Sequence, residues 1–129
     1  MSSYADIDKS KFPVVTVTFT GVSSTDGNFK EYLQELESLY DSGEDIAIIF
    51  DARKASLPSI KHQKQQASWL SQNENLLKKQ CKGTAYVITN RPVRAILKMI
   101  FAITPQPVPY KVYSNMDDAE VWVSTQLSA

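Results

Sequence analysis

The chain predicts an α/β fold: a four- to five-stranded, mostly parallel sheet with about four helices. Three observations carry this. The run Asp45-Ile46-Ala47-Ile48-Ile49-Phe50-Asp51 is apolar without a break and closed by acids at both ends, the pattern of a strand covered on both faces. Segments of helical period alternate with short strand-like segments along the whole chain, which is the order of a parallel sheet joined by right-handed crossovers. The 129 residues, 43% hydrophobic, suit a single domain over 1–129 that buries roughly two-thirds of its unfolded surface. No repeat, low-complexity segment or linker interrupts it.

In order, residues 4–7 offer a short edge strand before a turn at Asp8-Lys9-Ser10. From Pro13 to Thr20 the chain alternates, with Val15, Val17 and Phe19 on one face and Val14, Thr16 and Thr18 on the other, as a strand does. Ser24, Thr25 and Asp26 are helix N-cap candidates. Phe29, Tyr32, Leu33, Leu36 and Tyr40 then recur at helical spacing, and Gly43 closes that helix. After the central strand and a loop over 52–58, Ser56 or Pro58 opens a long helix running to about Gln80. Ile60, Ala67, Leu70, Leu77 and Cys81 form its expected core face. A second stripe holds His62, Gln66, Trp69, Asn73, Leu76 and Gln80. Trp69 and Leu76, one above the other on this amide-rich stripe, need cover, from a homodimer partner or from the chain's own N-terminal segment.

Gly83 to Thr89 reads as a further central strand. The next helix is bounded by Pro92, which fits a first helical turn, and by Pro105, Pro107 and Pro109, which forbid continuation. Its apolar residues Val93, Ile96, Leu97, Met99, Ile100, Phe101 and Ile103 span roughly 200° of the surface. Arg94, Ala95, Lys98 and Ala102 make the remaining strip. Five such side chains left in water would forgo on the order of 8–15 kcal/mol of burial. The core, a partner subunit, an apolar ligand or a lipid surface must cover them. Tyr110 to Ser114 is a short strand. Ser114 to Asp117 caps a final helix docked by Val121, Trp122 and Leu127.

The net charge of zero hides segregation. Lys78, Lys79, Lys82, Arg91, Arg94, Lys98 and Lys111 stand together between Asn75 and Met116 without one acid, a pattern of anionic partners or of a solvated basic face. Arg91, Arg94 and Lys98 would sit at headgroup level if the apolar helix swung out to an anionic membrane. Nucleic acid is not expected, because the basic segment lacks interleaved aromatics beyond Tyr86. No apolar run reaches the roughly 18 residues that span a bilayer. Met1 to Lys11 hold no secretory apolar core, and the lone Cys81 suits a reducing compartment. The expectation is therefore a cytoplasmic protein, with a peripheral position on the inner membrane face as its variant.

Reactive chemistry is sparse. His62 is the only histidine and has no second ligand nearby in sequence, so neither a metal site nor a cofactor is expected. There is no phosphate-binding glycine loop and no nucleophile elbow. Cys81, on a helix core face, reads as a small buried hydrophobe. No catalytic residues are assigned and no enzyme is expected. The carboxyl edge of the strands should gather Asp51, Arg53, Thr89, Asn90, Arg91 and Ser114, either as a ligand pocket or, for Asp51 and Arg53, as a simple ion pair.

The order of elements resembles the SpoIIAA-like family, related to the STAS domains of bacterial anti-sigma-factor antagonists. The resemblance is carried by the strand ending Val87-Ile88-Thr89, the helix Val93-Arg94-Ala95-Ile96-Leu97-Lys98 and the Thr104-Pro105 turn. Val112-Tyr113 and the helix with Asp118-Ala119-Glu120-Val121-Trp122-Val123 complete it. It implies a regulatory module that docks a protein partner and is phosphorylated at a serine opening the long helix. Ser56 and Ser59 are the positions here, in a segment that lacks the family's acid and glycine. The same broad family resembles lipid-binding CRAL-TRIO modules. That fits a reading carried by the helix itself: isolated by Pro92 and by the prolines after Thr104, the apolar helix, about 92–103, is a mobile lid of a non-enzymatic module over an apolar or anionic small molecule or lipid. The residues concerned are Val93, Ile96, Leu97, Ile100 and Phe101, with Arg91, Arg94 and Lys98.

Overall fold

The structure, a computed structural model, describes residues 3–103 and 106–129 and every side chain among them except those of Ile100 and Ile103. These residues form five strands and five helices. The strands are β1 (Ala5–Asp8), β2 (Val14–Phe19), β3 (Ile46–Asp51), β4 (Cys81–Val87) and β5 (Tyr110–Tyr113). The helices are α1 (Asp26–Ser38), α2 (Ile60–Gln72), α3 (Glu74–Gln80), α4 (Arg91–Ile103) and α5 (Met116–Ser128). Thr104 and Pro105 of the expected turn lie outside the described residues.

The sheet runs β1-β2-β3-β4-β5, antiparallel between β1 and β2 and parallel thereafter. Each crossover from β2 to β5 moves one strand in the same direction. Right-handed connections therefore put α1, α2, α3 and α4 on one face, and α5 alone covers the other. β3 is buried along its whole length, as its unbroken apolar run requires.

The two faces pack differently because their side chains differ in size. Toward α5, the sheet presents Ala47, Ile49, Ala85 and Val87, which meet Ala119 and Val123. Gly83 lies on this face too, where a Cβ would come within 3.0 Å of the Trp122 ring. Small residues thus let α5 lie directly on β3, β4 and β5. Toward the other helices the sheet presents Ile48, Phe50, Thr84, Tyr86 and Ile88. Phe50 pairs in register with Tyr86, and Val17 with Phe50. These bulky residues hold α4 away from the strands, and its principal helix neighbour is α2.

Several elements differ from the sequence reading. The long helix is two, α2 and α3, divided at Asn73, whose side-chain amide donates to the Trp69 carbonyl at 2.9 Å. The break re-phases α3 against α2. Leu70 and Leu77 are buried as expected, but Ile60, expected in the core, is 70% exposed at the start of α2, and His62 and Gln80 of the second stripe are buried as well. Trp69 and Leu76 pack against the protein's own core, so their need for a homodimer partner falls away. Cys81 opens β4 rather than ending a helix, though it is buried as expected. On α5, Val121 is 68% exposed, and Ala119 and Val123 do the docking beside Trp122 and Leu127.

Candidate functional site

A cavity of about 120 Å³ lies between the sheet and the α1–α4 side. Its floor is a row of rings along the strands. Phe19 stacks near Phe50 at 6.2 Å and Phe50 on Tyr86 at 5.1 Å, with planes 16° and 10° apart. Tyr4 closes one end, edge-on to Phe19 at 5.6 Å. At the other, Phe101 of α4 meets Tyr86 edge-on at 5.4 Å and Tyr110 at 4.7 Å. The roof is Val93, Ile96, Leu97 and Phe101 of α4 with Trp69 and Gln66 of α2, and the loop over 55–58 forms a side. Interiors are normally packed to crystal-like density, so a partly open cavity of this size under one helix is the natural candidate for a ligand.

The polar groups facing this space are neutral. Tyr32, Tyr40, Thr84, Tyr86, Cys81 and Gln66 all line it. Burial raises the Tyr32, Tyr40 and Tyr86 hydroxyls well above the ordinary tyrosine value and Tyr4 to about 12. Burial likewise raises the Cys81 thiol. No wall residue among those described carries a charge.

The sequence-expected residues divide. Val93, Ile96, Leu97 and Phe101 line the cavity, whereas Arg91, Arg94 and Lys98 lie exposed on the outer face of α4 with Met99. The side chain of Ile100 lies outside the described residues. Arg94 donates to the Ile88 carbonyl at 3.0 Å, fastening the start of α4 to the end of β4. Asn90 caps that helix, its Oδ1 accepting from the Val93 amide at 3.3 Å.

Asp51, Arg53, Thr89, Asn90 and Ser114 do lie along the carboxyl edge of the strands, but none lines the cavity. Asp51 and Arg53 form a two-pronged pair, Nε to Oδ1 and Nη2 to Oδ2 both at 2.9 Å. The guanidinium hydrogen bond holds the Asp51 carboxyl below its ordinary range. Ligand crevices at strand ends arise where strand order reverses and adjacent loops part. The parallel strands here run in sequential order, so their loops stay together.

One constellation was not legible in the sequence. The buried His62 imidazole stacks on Phe29 at 5.0 Å, with Nε2 2.9 Å from Asp26 Oδ1 and Nδ1 2.7 Å from Ser24 Oγ. A carboxylate only accepts, so Nε2–H donates to Asp26; in the neutral ring Nδ1 then accepts from the Ser24 hydroxyl. Ser24 Oγ also accepts from the Ser59 amide at 3.2 Å, and Lys61 Nζ reaches Asp26 Oδ2 at 3.0 Å. Serine, imidazole and carboxylate are the components of an acyl-transfer relay. Here none of the three lines the cavity, and together they clamp the first turns of α1 and α2. His62 is 38 positions from Ser24 and 36 from Asp26, and in the sequence Ser24 and Asp26 read only as candidate caps. Ser59 is the exposed N-cap of α2, and Ser56 Oγ donates to the Val22 carbonyl at 3.0 Å.

Among the described residues no group of three or more His, Cys, Asp or Glu side chains could hold a metal, and no helix is long and apolar enough to cross a membrane. No family model matches the chain, and no curated protein matches it. Solved structures do. An uncharacterized protein of the DUF3478 family with a SpoIIAA-like fold, from Shewanella loihica PV-4, shares 18% identity over 95% of this chain and 98% of its own, with a TM-score of 0.63. An anti-sigma factor antagonist from Mycobacterium paratuberculosis shares 15% over 93% of this chain and 92% of its own, with a TM-score of 0.59. The fold is SpoIIAA-like, as the resemblance implied.

Proposed function

We propose that this chain is a non-enzymatic binding module in which α4 closes over an apolar small molecule held against the sheet. The observation that carries the reading is the ring-floored cavity beneath α4, roofed by Val93, Ile96, Leu97 and Phe101. The placement of α4 supports it. Proline follows its first residue, and Pro107 and Pro109 separate it from β5. Such flanks favour movement of the helix as a unit over fraying. With Arg91, Arg94 and Lys98 already in water, opening costs no buried charge.

The neutral reporter N-phenyl-1-naphthylamine, larger than the closed cavity, tests the lid directly. It should gain fluorescence on binding, accept energy from Trp69 in a Trp122→Phe background, and change hydrogen exchange along α4. No gain in fluorescence together with no binding of ring compounds of the cavity's own size, or exchange changes confined to α5, overturns the reading.

A regulatory role through a protein partner is the second reading. It is favoured by the exposed position of Ser59 at the start of α2 and by the likeness to an anti-sigma factor antagonist. A phosphate there would meet the free amides of a helix N-terminus. Stoichiometric phosphate at Ser59 in protein from its own cells supports this role, and unmodified Ser59 under every growth condition removes it.

A further inference from the structure

We infer that the cavity selects an uncharged, flat ring compound of about phenol to indole size that carries one hydroxyl, its oxygen held by Thr84 and Tyr86. The inference rests on the reading of the cavity as a ligand site and adds the chemistry of the ligand. Size comes first. About 120 Å³ is close to the roughly 150 Å³ apolar cavity known to take benzene, and far below what an acyl chain with a headgroup needs. Shape follows from the floor, where Phe50 and Tyr86 lie within 10° of parallel. A planar ring can lie over such rings or meet them edge-on, as aromatic pairs prefer.

Charge is decided by the walls. With no Asp, Glu, Lys, Arg or His among the described wall residues, a carboxylate, phosphate or ammonium would enter without a counter-ion. The polar preference comes from Thr84. It is 5% exposed, it belongs to the wall, and its Oγ1 makes no hydrogen bond with any described residue. Tyr86, two residues on and on the same face of β4, has its hydroxyl beside Thr84 but outside hydrogen-bond geometry. A buried hydroxyl left unpaired is costly. A Thr84 side chain turned about χ1 and the Tyr86 hydroxyl can share one ligand oxygen, which both donates and accepts. Tyr32 and Gln66 border the same space and offer a further neutral donor and acceptor.

Three probes of one ring size separate these claims: p-cresol, toluene and 4-methylbenzoate. Trp69 lines the cavity and Trp122 lies across the sheet, so a Trp122→Phe protein reports binding through Trp69 alone; calorimetry on the unaltered protein provides a second measurement. The expected order is p-cresol about tenfold tighter than toluene, with 4-methylbenzoate not binding. The isosteric Thr84→Val change should bring p-cresol down to the level of toluene and leave toluene unchanged. Tyr86→Phe gives the same comparison if the valine variant does not fold. Equal binding of p-cresol and toluene, or binding of 4-methylbenzoate, overturns the inference while the apolar cavity beneath a lid stands. If none of the three binds and N-phenyl-1-naphthylamine also fails, the lid reading falls with it.

Discussion

His62 shows how much one buried side chain organises. Its ring lies on Phe29 of the core, and its two nitrogens reach Ser24 and Asp26 at the start of α1. The Asp26 carboxyl is held below the ordinary aspartate value of 3.8, first by the His62 hydrogen bond and then by Lys61. A carboxyl whose folded value is lowered binds fewer protons than in the unfolded chain. Its contribution is therefore complete above pH 3.8 and lost as pH falls through the lowered value. Asp26→Asn should flatten the acid limb of the stability curve below about pH 4. Urea unfolding at pH 3 and pH 6 checks this, and an unchanged difference between the two conditions counts against the clamp.

At the scale of elements, α2 and α4 explain each other. The amide-rich stripe of α2 looks like an outer surface because Gln66 and Asn73 interrupt it, yet it faces in and helps roof the cavity through Gln66 and Trp69. Trp69→Glu should leave the sedimentation mass unchanged and lower stability by about 1–3 kcal/mol, from lost packing and a charge placed on a half-buried apolar wall. A changed mass at unchanged stability would restore the interface reading. α4 should behave as a cover and not as a pillar. Leu97→Ala, over the cavity, should cost less than about 2 kcal/mol, whereas Ile49→Ala in the close-packed layer beneath α5, at 0% exposure and away from the cavity, should cost about 2–5 kcal/mol. Equal costs in denaturant titrations would mean that α4 is ordinary core.

Over the whole molecule, the sheet divides labour between its faces. The α5 side is close-packed by small residues, and Gly83 shows how closely. Gly83→Ala should cost about 1–3 kcal/mol through overpacking on Trp122. Trp122→Phe should recover part of that loss, so a double-mutant cycle should give a coupling well above 0.5 kcal/mol. Additive effects would mean that the ring gives way freely. The opposite face is bulky and aromatic, cannot close fully against four helices, and there the cavity forms.

What the sequence by itself determined is what local pattern can encode. The apolar run over 46–50 marked the central strand, the alternation over 14–19 its neighbour, and the prolines around α4 its limits. The order of these elements, through the fixed hand of crossovers, gave the SpoIIAA-like arrangement. The tertiary structure alone decided that both stripes contribute to the interior, His62 with Leu70 on α2 and Gln80 with Leu77 on α3, because α2 packs on α1 as well as on the core and the break at Asn73 re-phases α3, neither of which period counting foresees. It alone brought Ser24, Asp26 and His62 together, since contacts 36 to 38 residues apart leave no local trace. It also placed the candidate site under α4 and not at the strand ends. Residue types name the side chains on each face, but whether a helix rests on them or stands off depends on how their volumes meet across the sheet.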